Sequence, residues 1–210
     1  MASIGIAIPC YEPHHNYLRQ LLDSIANQTQ KPNKVVISCS SWPYDGRVDT
    51  EYKGIPLTIL YWSRVIVQAE NRNLAASELD TDYISFFDAD DLMHPRRIEY
   101  ILKAFERSGC HAIVHNYQRV QRPLTVVFED TDELILSENE VVKDPNAIGV
   151  SVGFPIHHAH ITVSKKVFEE FKFDENPYMY RIEDSLYAAT LVNHGIQIKY
   201  IVNKLSQFMY

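Results

Sequence analysis

The chain has 210 residues, enough for one sizeable domain or one domain with two lobes, and too few for several. Its 46% hydrophobic and 22% charged residues give it a globular composition, which excludes a disordered, collagen-like or coiled-coil protein. A formal charge of −7 suits a polyanion poorly, so no nucleic acid partner is expected beyond a local pocket for one diphosphate.

Ser3 to Pro9 reads as a buried strand ended by proline, followed by the loop YEPHH. Leu18, Leu21, Leu22 and Ile25 recur at i, i+3, i+4 and i+7, which predicts an amphipathic helix stopping at the polar NQTQKPN segment. Val35 to Ile37 is the next strand, 38–56 a turn-rich stretch, and Leu57 to Tyr61 a further strand. A helix is expected from about Val65 to Leu79. The strand Tyr83 to Phe87 then runs straight into Asp88-Ala89-Asp90-Asp91, and Pro95 opens a helix to about Arg107. Such alternation calls for a mostly parallel α/β sheet flanked by helices.

The second half loses the alternation. His111 to Val120 and Leu124 to Phe128, around Arg122-Pro123, suggest a hairpin. Six of the twelve residues from Glu129 to Glu140 are acidic, as expected of a solvated face, with a lid or acceptor-side loop the alternative. Ile161 to Val163 reads as a strand, Lys165 to Phe171 as a short helix, Glu183 to His194 as a helix closed by Gly195, and Ile196 to Val202 as a last strand.

Three carboxylates at the end of an apolar strand repel one another unless a cation sits among them. Asp88, Asp90 and Asp91 therefore suggest a divalent metal beside phosphate, against the plainer reading of a polar loop before the helix at Pro95. Arg72, one strand earlier, suits bidentate phosphate contact or an ordinary helix surface. Glu183-Asp184 opens a helix in which Asp184 falls in line with Ala188. That carboxylate is either a cap or a general base for an acceptor hydroxyl. On a strand, His158 and His160 would share one face toward cleft or core, which fits acceptor binding or packing better than zinc.

Together these segments resemble glycosyltransferase family 2, inverting enzymes of the GT-A fold. IGIAIPCYEP is similar to the family's opening strand and loop, NRNLAASELDTDYISFFDADDLMHPRRI to its Arg-Asn pair, strand and DxD motif, and RIEDSLYAATLVNHGIQIKYI to its Glu-Asp helix and closing strand. The resemblance implies one α/β unit with a Rossmann-like, mixed but mostly parallel sheet. About 1–95 would bind a nucleotide sugar and about 96–210 the acceptor, as one domain of 1–210 that could open a longer protein. It implies that Asp90 coordinates Mn²⁺ or Mg²⁺ and that Asp88 contacts the ribose or the metal shell. Pro9, Tyr11, Glu12, Arg72 and Ala89 would complete the donor site, with Tyr11 flanking the base. Asp184 would be the base supported by Glu183, and His158, His160 and Asp91 would meet the acceptor. Donor and acceptor would be a UDP-sugar such as UDP-glucose and a hydroxyl of a glycan or glycoconjugate.

Two departures are visible. Cys39-Ser40-Ser41-Trp42 stands where the family commonly has Asp-Asp-Gly-Ser, and Glu12 where Asn is usual. Rival readings are a haloacid dehalogenase-like phosphatase, for which Leu92 is the wrong residue after the Asp pair, a nucleotidyltransferase, for which PCYEPHH lacks glycine, and a non-catalytic sugar-nucleotide or carbohydrate-binding module. Three cysteines without a CxxC pair suggest neither a disulfide framework nor zinc. With no apolar run near the ~20 residues of a membrane span and no signal-like start, a cytoplasmic chain is expected, with peripheral membrane contact left open.

Overall fold

The computed structural model describes residues 2–121, 127–129 and 131–209. The first strand, β1 (Ile4–Tyr11), leads through a 3-10 segment, Glu12–Tyr17, into α1 (Leu18–Ala26). Three strands follow, β2 (Lys34–Ser40), β3 (Gly46–Tyr52) and β4 (Ile55–Tyr61), then α2 (Gln68–Ser77), β5 (Tyr83–Phe86), β6 (Leu92–Met93) and α3 (Arg97–Ser108). The second half contributes β7 (Ala112–Val120), the short β8 (Val142–Lys143) and β9 (Val150–Ser151), β10 (Thr162–Ser164), α4 (Lys165–Glu170), α5 (Glu183–Asn193) and β11 (Ile198–Met209).

Among the described residues, nine strands form one sheet in the order β3-β4-β2-β1-β5-β10-β7-β11-β6, while β8 and β9 pair separately. Strands β4, β2, β1, β5, β7 and β11 run one way, and β3, β10 and β6 oppose them. The sheet is thus mixed and mostly parallel, as expected. Because strand side chains alternate, Ile4, Ile6 and Ile8 of β1 join the core with α1 and α3, and Ala7 joins the opposite core with α2, α4 and α5. The helical spacing of Leu18, Leu21, Leu22 and Ile25 buries all four, each worth about 1.5–3 kcal/mol. Between Ile4 and Ile6, Gly5 leaves room for α2's end: a Cβ there would stand 2.6 Å from Leu79 Cδ2.

Three expectations need correction. The 38–56 stretch contains β3, an antiparallel edge strand that sequence pattern misses because nearly all of it is exposed and nothing forces alternation. Helix α2 is shorter than expected because Val67 is still extended, with φ −65° and ψ 152°. The histidine segment is a 3-10 turn, His158–His160, rather than a strand. The acidic stretch keeps Glu129, Asp132, Glu133, Glu138 and Glu140 exposed, as a solvated face does, while buried Leu134, the pairing of Leu136 with Ile201 and the bond from Ile135 N to Asn203 Oδ1 anchor it against β11. The second arm of the expected hairpin lies largely outside the described residues.

Among the described residues, no helix is long and apolar enough to cross a membrane. All three cysteines are free and buried, and Cys10 and Cys39 face each other in register on β1 and β2. The hydrogen bond between them and their burial push the Cys10 thiol far up, the state of an inert thiol.

Candidate active site

Parallel strands end together, and the space beyond their carboxyl ends is where α/β sheets take ligands. Here β1, β2 and β5 open onto a cavity of about 510 Å³. Pro9, Tyr11 and His14 form one wall, Ser40, Ser41 and the 65–68 segment another, and Asp88, Ala89 and Asp90 the floor, with Tyr180 across the mouth. A second cavity of about 290 Å³ adjoins it, lined by Arg72, Tyr117, Arg119, His157, His158, Arg181, Glu183, Asp184 and Phe208. Asp88 and Gln68 line both.

Burial decides what each expected residue can do. Pro9, Tyr11, Asp88, Ala89 and Asp90 all reach the larger cavity. Glu12 does not line it. It starts the 3-10 turn, exposed, and that turn instead brings His14 Nδ1 to 3.7 Å from Asp90 Oδ1. Arg72, only 1% exposed, is not held out to solvent: it donates to Asp88 Oδ1 at 2.9 Å and to Glu183 Oε1. Burial opposes its charge, but Asp88, Asp184 and Glu183 outweigh that and hold its pKa above the ordinary value. Asn73 fastens the segment leading to α5, donating to Phe173 O at 2.9 Å and accepting from Phe173 N at 3.1 Å.

At the start of α5 the expected inward carboxylate is the other member of the pair. Glu183 turns in to Arg72, and Asp184 stays half-buried in the second cavity with Oδ1 accepting from Ser185 N. Both sit in the helix's first turn, where the dipole favours negative charge. Arg181, just before it, holds φ at 73°, a left-handed conformation that costs a non-glycine residue of order 1–3 kcal/mol and is found mostly at working sites.

The acceptor assignments divide. His158 borders the second cavity, but its ring is within hydrogen-bonding distance of Val150 and of Ser185 Oγ. His160 and Asp91 are 0% and 1% exposed, leaving no surface for an acceptor. Instead His160 Nε2 faces Asp91 Oδ2 at 3.0 Å, and His157 Nε2 lies 3.7 Å from the same oxygen. His160 stacks on Phe87 at 4.0 Å and on His157 at 4.0 Å, while its Nδ1 is 2.9 Å from Ser206 Oγ. Burial lowers the pKa of both imidazoles, which favours their neutral forms. A donor atom from each of Asp88, Asp91, His157 and His160 lies within 4.8 Å of the others, a mixed nitrogen and oxygen set that fits a divalent metal. Asp90, the ligand expected from sequence, is not of this set.

His157 was not among the expected site residues, and the reason is geometric. A strand pairs positions i and i+2, whereas 3-10 geometry eclipses i and i+3, here His157 and His160, joined by the bond from His160 N to His157 O. Pro155, which ends any strand before them, was the available signal. Tyr117, Arg119 and Arg181 carry no sequence motif.

Residues 5–170 match the model of glycosyl transferase family 2, a span covering most of the chain, including β1 and the DxD loop. The chain belongs to glycosyl transferase family 2. As a family 2 chain it is 30% identical to the glycosyltransferase GlyA of Streptococcus pneumoniae over 121 residues, 54% of this chain and 16% of that protein. It is 24% identical to an uncharacterized glycosyltransferase of Methanocaldococcus jannaschii over 180 residues, 82% of this chain and 59% of the other. Its fold is the GT-A fold: S. aureus TarS 1–349, solved in complex with UDP, superposes on 99% of the chain with a TM-score of 0.69 at 16% identity. The same protein solved with UDP-GlcNAc gives 0.65 at 13%. The chain spans 60% and 58% of those TarS chains, and less than two thirds of either sequence relative.

Proposed function

We propose that this family 2 chain binds a nucleotide-diphosphate hexose in the larger cavity and transfers the sugar, with inversion, to a hydroxyl of a glycan or glycoconjugate in the smaller one. The observation that carries this reading is the junction of the two cavities at Asp88, with Asp184 on the acceptor side. A binding module needs the first cavity only. A nucleoside diphosphate would lie across the ends of β1, β2 and β5, its base against Tyr11 and its phosphates toward Asp88 and Asp90. Ser40 and Ser41 stand on the base side in place of the family's usual Asp. Since TarS has been solved with UDP and UDP-GlcNAc, UDP-glucose and UDP-GlcNAc are the first donors to test.

In the transfer, Asp184 takes the proton from the acceptor hydroxyl as that oxygen attacks the anomeric carbon. The bond from that carbon to the diphosphate breaks on the opposite face, its electron pair leaves with the diphosphate, and the configuration inverts. Glu183 and Arg72 keep Asp184 and Asp88 in register across the cavities. A bound divalent cation, Mn²⁺ or Mg²⁺, supplies neutralisation of the charge growing on the diphosphate, and Asp88 is the donor-site residue placed to share in holding it. Asp184→Asn keeps the shape and removes the base. Turnover of the donor with a competent acceptor should fall by about 10²–10⁴-fold while UDP affinity, read by calorimetry, stays nearly constant. Full activity in that variant overturns the assignment.

A further inference from the structure

We infer that Arg119 and Arg181 form an oxyanion subsite in the smaller cavity, and that the acceptor is a sugar or polyol unit carrying a phosphate or carboxylate group beside its reacting hydroxyl. This names the acceptor class of the transfer proposed above and rests on that reading. Arg119 stands near the carboxyl end of β7 and Arg181 just before α5, so the fold brings two cations from distant segments to one cavity. Both are exposed, and among the described residues neither has a carboxylate within ion-pairing distance, whereas Arg47, Arg64, Arg72 and Arg96 each have at least one. Tyrosines hold them instead. Arg119 Nη2 donates to Tyr117 Oη at 3.3 Å, and the Arg181 guanidinium lies 5.3 Å from the centre of the Tyr180 ring. An aromatic partner orients a guanidinium without neutralising it, which leaves the fork charged and able to take a phosphate or carboxylate through two bonds.

Position says to which substrate the anion belongs. Neither arginine lines the larger cavity, where the donor's phosphates point toward Asp88 and Asp90 in the proposed transfer. Arg72 lines the smaller cavity too, but its charge is taken up by Asp88 and Glu183, and Asp184, the proposed base, lies in the same cavity. A base carboxylate repels an anionic acceptor unless cations offset it, and Arg119 and Arg181 are the arginines of that cavity without a carboxylate partner among the described residues. Tyr117, Ile156 and Phe208 add apolar surface for the body of a sugar ring. Arg181 also holds its left-handed φ of 73°, costly for a residue with a Cβ, where the chain passes from one cavity to the other: Tyr180 lines the larger and Arg181 the smaller. Strain kept at a residue whose side chain makes no ion pair fits a side chain placed for a ligand.

The test compares the affinities of methyl glucuronide and glucose 6-phosphate with that of the neutral methyl glucoside, by ligand-observed NMR titration in Mg²⁺ buffer, with and without saturating UDP. Expected is about 10-fold tighter binding of at least one charged probe than of the neutral one, kept when UDP fills the larger cavity. The better of the two charged probes shows whether carboxylate or phosphate is the group. Arg119→Gln and Arg181→Gln should each lose most of that preference while holding methyl glucoside nearly as before, and Arg181→Lys should keep only part of it, because an ammonium has no fork. The preference is a ratio within one protein, so a variant that folds incompletely, as circular dichroism would show, lowers both affinities without imitating its loss. The inference falls if neither charged probe is preferred, or if the preference disappears once UDP is added, which puts the anion in the donor's phosphate site. It falls too if both glutamine variants keep the preference, which leaves the two arginines as solvated surface. Calorimetry of UDP on the unaltered protein separates the two readings: UDP binding without an anion preference sinks the subsite alone, and an arginine-dependent preference without UDP binding keeps the oxyanion subsite and sinks the transferase reading.

Discussion

Arg72 makes two ion pairs while almost wholly buried, so its loss leaves carboxylates from two distant segments facing each other without a cation. Breaking a buried pair from one side typically costs about 3–5 kcal/mol. Arg72→Met should lower stability by about that amount in urea unfolding, and Arg72→Lys should recover only part of it, because an ammonium cannot match the fork that reaches both partners. The sequence shows Arg72, Asp88, Glu183 and Asp184 as candidate residues because each sits in a short motif. It does not show that Arg72 joins the motifs, since the pairing spans 111 residues and depends on where α2 and α5 come to rest. His157 was hidden for a smaller reason, a turn of three residues whose period differs from a strand's.

At the level of elements, those with one buried face were readable and those without were not. Helix α1 announces itself because its apolar residues recur at helical spacing, and α3 because Pro95 opens it. Helix α2 buries Asn71, Arg72 and Asn73 along with alanines, since what it faces is the site itself, and its start is correspondingly blurred in the sequence. Strand β3 pairs only with β4 and keeps almost no side chain from water. The contact of β1 with α2 predicts that Gly5→Ala, forcing a Cβ against Leu79, destabilises by about 1–3 kcal/mol, and that Leu79→Ala in the same chain relieves part of the strain. A double-mutant cycle in urea checks the coupling; additive losses would show that α2's end yields freely.

For the whole molecule, pH is the revealing variable. His115 is fully buried, its Nε2 accepts from Arg97 Nε at 2.9 Å, and its Nδ1–H is directed to Asn116 O at 2.8 Å. A proton on Nε2 would meet the Arg97 N–H, and burial, with Arg97 adding to it, holds the pKa well below 6.5. The unfolded chain takes up this proton and the folded chain refuses it. Stability from this group is therefore complete above about pH 6.5 and declines below it, by about 1.4 kcal/mol per pH unit until the folded pKa is reached. His115→Gln, whose amide can keep both hydrogen bonds, should flatten the decline between pH 7 and 5 in urea titrations. An unchanged slope would assign the acid sensitivity elsewhere.

Strand β11 has a further consequence, in the order of events rather than the arrangement of atoms. The carboxylate loop leaves β5 in the middle of the sheet and is next held at β6, on the far edge, by pairing with Ser206 and Gln207 and by the bond from His94 N to Leu205 O. Ser206 also steadies His160. Both segments carrying the Asp and His side chains thus await β11, which is made after them. A chain emerging from the ribosome folds its N-terminal portion first, so it can complete the walls of the larger cavity while the Asp91–His160 pair still lacks its support. The nascent protein would hold the larger cavity before it holds the buried Asp91–His160 pair in place, and the arrival of β11 completes the site.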